Sequence, residues 1–144
     1  MNDARQTIVV VPCSGIGKSL GTVSRETAYE LCENLRPQAT ELIALSKLVL
    51  GDQQARDRVS HSPAVTIDGC KQMCASKLVK YSGGTVVHEV AVFEEFRHHR
   101  DLKPEGIAEL NPKGMQLARV LAEEIAAQID VINCPVAAQG GQHA

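Results

Sequence analysis

One stretch near the amino terminus sets the architecture: Thr7-Ile8-Val9-Val10-Val11-Pro12. A continuous β-branched run of this kind predicts a strand buried on both faces, which is typical of parallel sheets covered by helices. The run is followed by a loop at residues 13–21. A helix is predicted to begin near Thr22 or Ser24, either of which can cap it, and to end at Arg36-Pro37. The chain therefore opens with a strand, a loop and a helix.

The same alternation continues along the chain. Further strands are predicted over residues 41–45, 64–68 and 85–93, although residues 40–50 also fit a helix. Helical segments are predicted around Leu48, after Gly51-Asp52 and over residues 71–81, and Asn111-Pro112 opens the last helix. That helix has apolar residues at helical spacing: Met115, Ala118, Leu121, Ala122, Ile125, Ile129 and Ile132.

These elements predict the fold class. We expect an α/β three-layer sandwich with a mostly parallel four-stranded sheet, doubly wound in the Rossmann or flavodoxin manner. A hydrophobic fraction of 44% is enough for one core, so we expect a single domain over residues 1–134, with a frayed tail over residues 135–144.

The composition excludes several classes of protein. The 144 residues carry a net charge of −2, without the basic cluster that nucleic-acid binding needs. The apolar runs are far shorter than the roughly 20 residues of a membrane-spanning helix, and the amino terminus lacks the apolar core of a signal peptide. We therefore expect a cytoplasmic protein with no nucleic-acid and no membrane partner. A protein partner and a homo-oligomer stay open.

The five cysteines are the most informative residues, because thiols in a reducing compartment seldom pair permanently and clustered ones indicate metal or thiol chemistry. Cys13 and Cys70 each follow a predicted strand, and the carboxyl ends of parallel strands meet at one crevice. Cys74 is four residues further on, so a helical turn would return it to the same side. Thiolates of this kind suit zinc. Cys32 shares an apolar stripe and Cys134 follows the last helix, so packing is the simpler role for both.

Other roles for these residues remain open at this level. Cys13 or Cys70 could be the nucleophile of a thiol enzyme or a sulfur carrier, with the other cysteine resolving it as a disulfide. The cysteines could also merely pack. Residues 12–19 fit neither the phosphate-binding P-loop nor the cysteine phosphatase pattern, which leaves Lys18 as an anion partner near Cys13.

Three segments in order resemble the DGC-domain family, small prokaryotic proteins described as zinc-binding. They are Cys13-Ser14-Gly15-Ile16-Gly17-Lys18 through Glu26, Asp68-Gly69-Cys70 with Cys74-Ala75-Ser76-Lys77, and His99-Arg100-Asp101-Leu102-Lys103-Pro104.

The resemblance implies a metal site of four cysteines, of which Cys13, Cys70 and Cys74 match directly. The fourth would be expected near Ala44, where this chain has no cysteine. Cys32, Asp68, a histidine or water are then the candidates for the fourth ligand. Zinc is the expected cofactor, an iron–sulfur cluster on the same thiolates is the alternative, and the resemblance supplies no reaction.

Overall fold

The computed structural model describes residues 6–15 and 17–134, so the predicted tail at 135–144 lies outside the described residues. Within them, one sheet contains β1 (Ile8–Pro12), β2 (Thr40–Leu42), β3 (Pro63–Asp68) and β4 (Thr85–Ala91). The strand order is β2-β1-β3-β4 and every neighbouring pair is parallel. The predicted α/β class with a four-stranded parallel sheet is confirmed.

Helices cover both faces of this sheet. They are α1 (Ser19–Tyr29), which continues as a π-helical segment (Glu30–Leu35), α2 (Leu45–Leu50), α3 (Gln53–His61), α4 (Cys74–Tyr81), α5 (Val92–Glu95), which continues as a 3-10 turn (Phe96–His98), and α6 (Pro112–Ile132).

The core has two halves because side chains of a strand alternate between faces. Ile8 and Val10 pack on the face covered by α1 and α6, whereas Val9 and Val11 pack on the face covered by α2, α3 and α4. All four valine and isoleucine side chains are fully buried. The unbroken β-branched run is therefore explained by burial on both sides.

Some predicted boundaries were wrong, and the reasons lie in contacts from outside each element. Helix α1 begins at Ser19 rather than near Thr22 or Ser24. The Thr22 hydroxyl donates to the carbonyl of Ile107 at 2.5 Å, and the Ser24 hydroxyl donates to that of Gly21 at 2.8 Å. Neither side chain is therefore a cap, and both are buried within the helix.

Three further boundaries also differ from the predictions. Helix α4 begins at Cys74 rather than at residue 71, because Met73 has a left-handed backbone with φ of 54°. Strand β4 ends at Ala91, where Val92 begins α5, instead of continuing to residue 93. Strand β2 is only Thr40–Leu42, so the predicted strand at 41–45 is mostly loop and the start of α2.

The strand order fixes where a ligand would bind. From β1 the chain crosses to β2 on one side and later returns to β3 on the other side of β1. The crevice beyond the carboxyl ends of β1 and β3 is therefore the topological switch point, where open α/β sheets bind their ligands. Among the described helices, none combines the length and apolar character needed to cross a membrane.

Candidate functional site

A cleft of about 180 Å³ opens at this switch point, and Cys13, Cys70 and Cys74 all line it. Cys13 follows β1 directly, Cys70 lies in the loop after β3, and Cys74 is the first residue of α4. The prediction that these three cysteines share one pocket at the strand ends is confirmed. Lys18 also lines the cleft with an exposed side chain, and its role as an anion partner stays a prediction.

Cys13 is held more firmly than a residue in an ordinary loop. Its backbone N–H donates to the carbonyl of Ile67 at 2.9 Å, which extends the β1–β3 pairing by one residue. Its Sγ lies 3.1 Å from the Ser24 hydroxyl oxygen, and the N–H of Gly69 donates to Sγ at 3.4 Å. The sulfur is therefore fixed between the end of β1, helix α1 and the loop after β3.

Asp68 anchors α4 rather than pointing freely into the cleft. Its buried carboxylate accepts the backbone N–H of Ala75 at 2.7 Å through one oxygen and that of Ser76 at 3.1 Å through the other. Burial raises the pKa of this carboxyl group, and the two backbone hydrogen bonds oppose that rise. Asp68 thus supplies the helix cap that Met73 does not, and both of its oxygens are already engaged.

Three glycines allow the loops of the cleft to meet through their backbones. A Cβ added to Gly69 would lie 2.7 Å from the nitrogen of Gly21, and one added to Gly15 would lie 2.6 Å from the carbonyl carbon of Gly21. Gly15 also has φ of 69°, a conformation that favours glycine. Sequence reasoning missed this contact. The one available signal was that these glycines lie in two of the segments that resemble a known family, Gly15 and Gly21 in the first and Gly69 in the second.

Cys70 and Cys74 are less constrained. Cys70 is half-buried and Cys74 is exposed. Cys70 begins a turn in which the Met73 N–H donates to the Cys70 carbonyl at 3.3 Å. Across residues 6–15 and 17–134, no three His, Cys, Asp or Glu side chains form a group that could hold a metal ion. The donor set suits a thiophilic metal chemically, but the three sulfurs share a cleft without forming a closed ligand cage.

The remaining candidates lie elsewhere. Cys32 lies in the π-helical segment that precedes β2 and packs against the core at the amino end of the strands, away from the cleft. Burial raises the pKa of its thiol. Cys134 follows α6 at the end where Asp130 pairs with Arg36. The cleft lining includes none of the described histidines, so neither Cys32 nor a described histidine is in place as fourth ligand.

The fold and the site together define a class: parallel α/β proteins that present thiols in a cleft at the switch point of the sheet. A family model, the DGC domain, matches residues 9–113, and the chain belongs to the DGC-domain family. The matched region includes all three cysteines of the cleft and the Asp68-Gly69-Cys70 triplet. No curated protein and no solved structure matches the chain.

Proposed function

We propose that the chain binds a thiophilic divalent metal in this cleft through Cys13, Cys70 and Cys74, and that the metal it prefers is zinc. The observation that carries the proposal is that three soft donors from separate positions of the chain line one small cleft at the switch point. Zinc accepts thiolate ligands in a tetrahedral arrangement. A reducing compartment such as the cytoplasm, where we expect the protein to work, keeps these thiols available.

Metal binding would order the turn between Cys70 and Cys74. Cys13 is fixed by its hydrogen bonds, whereas residues 70–73 precede α4 and Cys74 is exposed. The two sulfurs of this turn would therefore move toward Cys13 when a metal binds. With no fourth protein sulfur in the cleft, water or another small ligand would occupy the fourth position, as in zinc sites that remain open.

A second candidate is thiol chemistry between two of the cleft cysteines. Cys13 and Cys70 line the same cleft, and two thiols are enough for exchange. One thiolate would attack a disulfide of a partner and release one of its sulfurs as a thiolate. The second cysteine would then displace the other sulfur, leaving a Cys13–Cys70 disulfide and a reduced partner.

Metal content decides between these functions. Protein purified without chelator is expected to contain about one zinc per chain, measured by elemental mass spectrometry. Its absorption spectrum should lack the visible bands of an iron–sulfur cluster. Cys13→Ser, Cys70→Ser and Cys74→Ser should each lose most of the metal, since a hydroxyl is a much poorer ligand than a thiolate. Cys32→Ala and Cys134→Ala are the matched controls and should keep it. Metal-free wild-type protein would contradict the proposal.

Alkylation supplies the complementary measurement. Bound metal should protect Cys70 and Cys74 from iodoacetamide, and a chelator should expose them. Affinity should also fall as the pH is lowered, because protons compete for the thiolates. The thiol-exchange function predicts the opposite pattern: rapid alkylation of one cysteine without chelator, and a Cys13–Cys70 disulfide under mild oxidant.

A further inference from the structure

We propose that Asp68 is a positioning residue of the cleft and not a metal ligand. Its carboxylate fixes the backbone of Cys74 relative to Cys13, because it ties the first turn of α4 to the end of β3. Asp68 is the last residue of β3 and is buried, with 1% of its surface exposed. This inference rests on the proposed function for its effect on metal affinity, but the placement of the sulfurs does not require a metal.

The two oxygens of Asp68 determine where α4 begins. They accept the N–H groups of Ala75 and Ser76, the second and third residues of the helix, and N–H groups at these positions have no partner within a helix. The usual source of such a cap is the side chain of the residue before the helix. Here that residue is Met73, which has a left-handed backbone and, among the described contacts, no side-chain bond to the helix. The cap therefore comes from the sheet, and Cys74, the first residue of α4, is held beside it.

The same end of β3 also holds Cys13. The Cys13 N–H donates to the carbonyl of Ile67 at 2.9 Å, and the Gly69 N–H donates to the Cys13 sulfur at 3.4 Å. Asp68 lies between these two residues. One short segment is therefore the reference for both sides of the cleft, and Asp68 is the residue in it that reaches α4. Its loss would let the start of the helix, with Cys74, shift relative to the sheet.

The hydrogen bonds of Asp68 also argue against a place among the metal ligands. One oxygen accepts from Ala75 at 2.7 Å and the other from Ser76 at 3.1 Å, so both are directed at the backbone of α4. Turning the carboxylate toward a metal would weaken these bonds and destabilise the helix start that carries Cys74. Groups that orient ligands without touching the metal form its outer shell, and their mutation typically lowers metal affinity about 10- to 100-fold.

Ser76 provides a matched control, because it links the same turn of α4 to a different strand. Its side chain is buried, and its hydroxyl donates to the carboxylate of Glu89 on β4. Ser76→Ala removes this link but keeps the N–H that Asp68 accepts. Asp68→Asn removes one acceptor oxygen and places an amide NH2 group against a backbone N–H. Both variants should lower stability in urea, but only Asp68→Asn loosens Cys74 from the end of β3.

The first measurement uses the full chain without metal and does not depend on the proposed function. Dibromobimane, a short reagent that bridges two neighbouring thiols, is added at limiting concentration, and peptide mass spectrometry identifies the bridged pairs. Bridging of Cys13 to Cys74 should fall about tenfold in Asp68→Asn, because its rate depends on how closely the two thiols are held, and should not change in Ser76→Ala. Bridging of Cys13 to Cys70 is the internal reference. Equal bridging of Cys13 to Cys74 in wild type and Asp68→Asn would overturn the positioning role.

Cobalt(II) in place of zinc distinguishes a positioning residue from a ligand. Its d–d absorption bands report the atoms bound to it, so a change of ligand shifts these bands, whereas a displaced helix start lowers the affinity. At saturating cobalt, Asp68→Asn should show the wild-type bands, and Cys74→Ser should lose part of the sulfur-to-cobalt charge-transfer absorption. Shifted d–d bands in Asp68→Asn would identify Asp68 as a ligand and overturn the proposal.

Zinc affinity distinguishes failure of this inference from failure of the proposed function. In competition with a chelating dye, Asp68→Asn should bind zinc at least about tenfold more weakly than wild type, as for other outer-shell partners, and Ser76→Ala should bind it as wild type does. Equal losses in the two variants would show that affinity follows the stability of α4, and would refute the inference. If wild-type protein binds no zinc, the proposed function fails, and the bridging measurement still decides whether Asp68 positions Cys74.

Discussion

At the scale of single residues, the Asp68-Gly69-Cys70 triplet combines three different tasks. Asp68 holds the N–H groups of Ala75 and Ser76, and thereby fixes the start of α4. Gly69 lies against the backbone of Gly21 and donates its N–H to the sulfur of Cys13. Of these three residues, only Cys70 offers the cleft a side-chain atom that could serve as a metal ligand and is not already engaged. The triplet therefore builds the cleft as much as it supplies a ligand.

Gly69→Ala tests the backbone contact. The new Cβ would lie 2.7 Å from the nitrogen of Gly21 and 2.8 Å from the carbonyl carbon of Leu20, and backbone atoms cannot rotate away. We expect a loss of about 3 kcal/mol in the free energy of unfolding, at the upper end for overpacking, measured by urea denaturation.

Gly17→Ala is the control for this substitution. Gly17 has φ of 75°, and its added Cβ would meet no described atom within 4 Å. That variant should lose only the cost of a left-handed alanine, about 1 kcal/mol. Equal losses in the two variants would show that contact with Gly21 is not what requires glycine at position 69.

At the scale of elements, the edge strand β4 carries a titratable side chain that is partly withdrawn from solvent. His88 is half-buried on this edge strand, in a cleft next to Glu95 of α5 and Glu124 of α6. Burial lowers the pKa of His88 below the ordinary 6.5, and the negative charge of Glu95 opposes this. The folded protein therefore binds a proton at His88 less readily than the unfolded chain does.

The consequence is a stability that depends on pH in a defined direction. Above about pH 6.5 the imidazole is neutral in both states, so its contribution is fully present. As the pH falls through the lowered pKa of His88, the unfolded chain takes up the proton first and stability is lost. We expect His88→Gln to reduce the loss of stability between pH 7.5 and 5.5, measured by urea denaturation at both values. An equal loss in wild type and in His88→Gln would contradict the assignment of this pH dependence to His88.

The elements that the sequence predicted well are those whose pattern is set by their own burial. Strand β1 is buried on both faces and α6 on one stripe, and both patterns are visible in the sequence. The start of α4 was not predictable locally, since its cap is the side chain of Asp68 from the preceding strand. The start of α1 was missed because Thr22 bonds to Ile107, which is distant in the sequence.

For the candidate site too, local features were predictable from the sequence and contacts between distant residues were not. The rule for parallel sheets was enough to place Cys13 and Cys70 in one cleft, because it depends only on which residues follow the strands. The contact between Cys13 and Ser24 and the approach of Gly69 to Gly21 depend on how helices and loops pack in three dimensions. Neither has a spacing pattern that a single sequence could reveal.

At the scale of the whole molecule, the cleft joins the two central strands. Strands β1 and β3 are paired with each other, and each carries one of the loops that line the cleft. A metal held by Cys13 together with Cys70 and Cys74 would link the β1–α1 loop to the β3–α4 loop. Because unfolding separates these loops, the unfolded chain would bind such a metal more weakly, and the difference in binding free energy adds to the stability of the fold.

Thermal unfolding measures this linkage. Free zinc at about 100 times its dissociation constant should add about 2.7 kcal/mol, less whatever is lost to zinc binding by the unfolded chain. For a chain of 144 residues this corresponds to a rise in Tm of about 5–10 °C. Chelator should reverse the rise, and Cys13→Ser should abolish it.

Cys134→Ala is the matched control for this effect and should retain the full rise in Tm. Cys134 lies away from the cleft, after α6 and at the end of that helix where Asp130 pairs with Arg36. A rise of the same size in Cys13→Ser would place the stabilising metal elsewhere on the chain. Since Cys13 is the sulfur held by Ser24 and Gly69, its loss should affect stabilisation by metal more than the loss of Cys74, which is exposed and without a hydrogen bond to its sulfur among the described contacts.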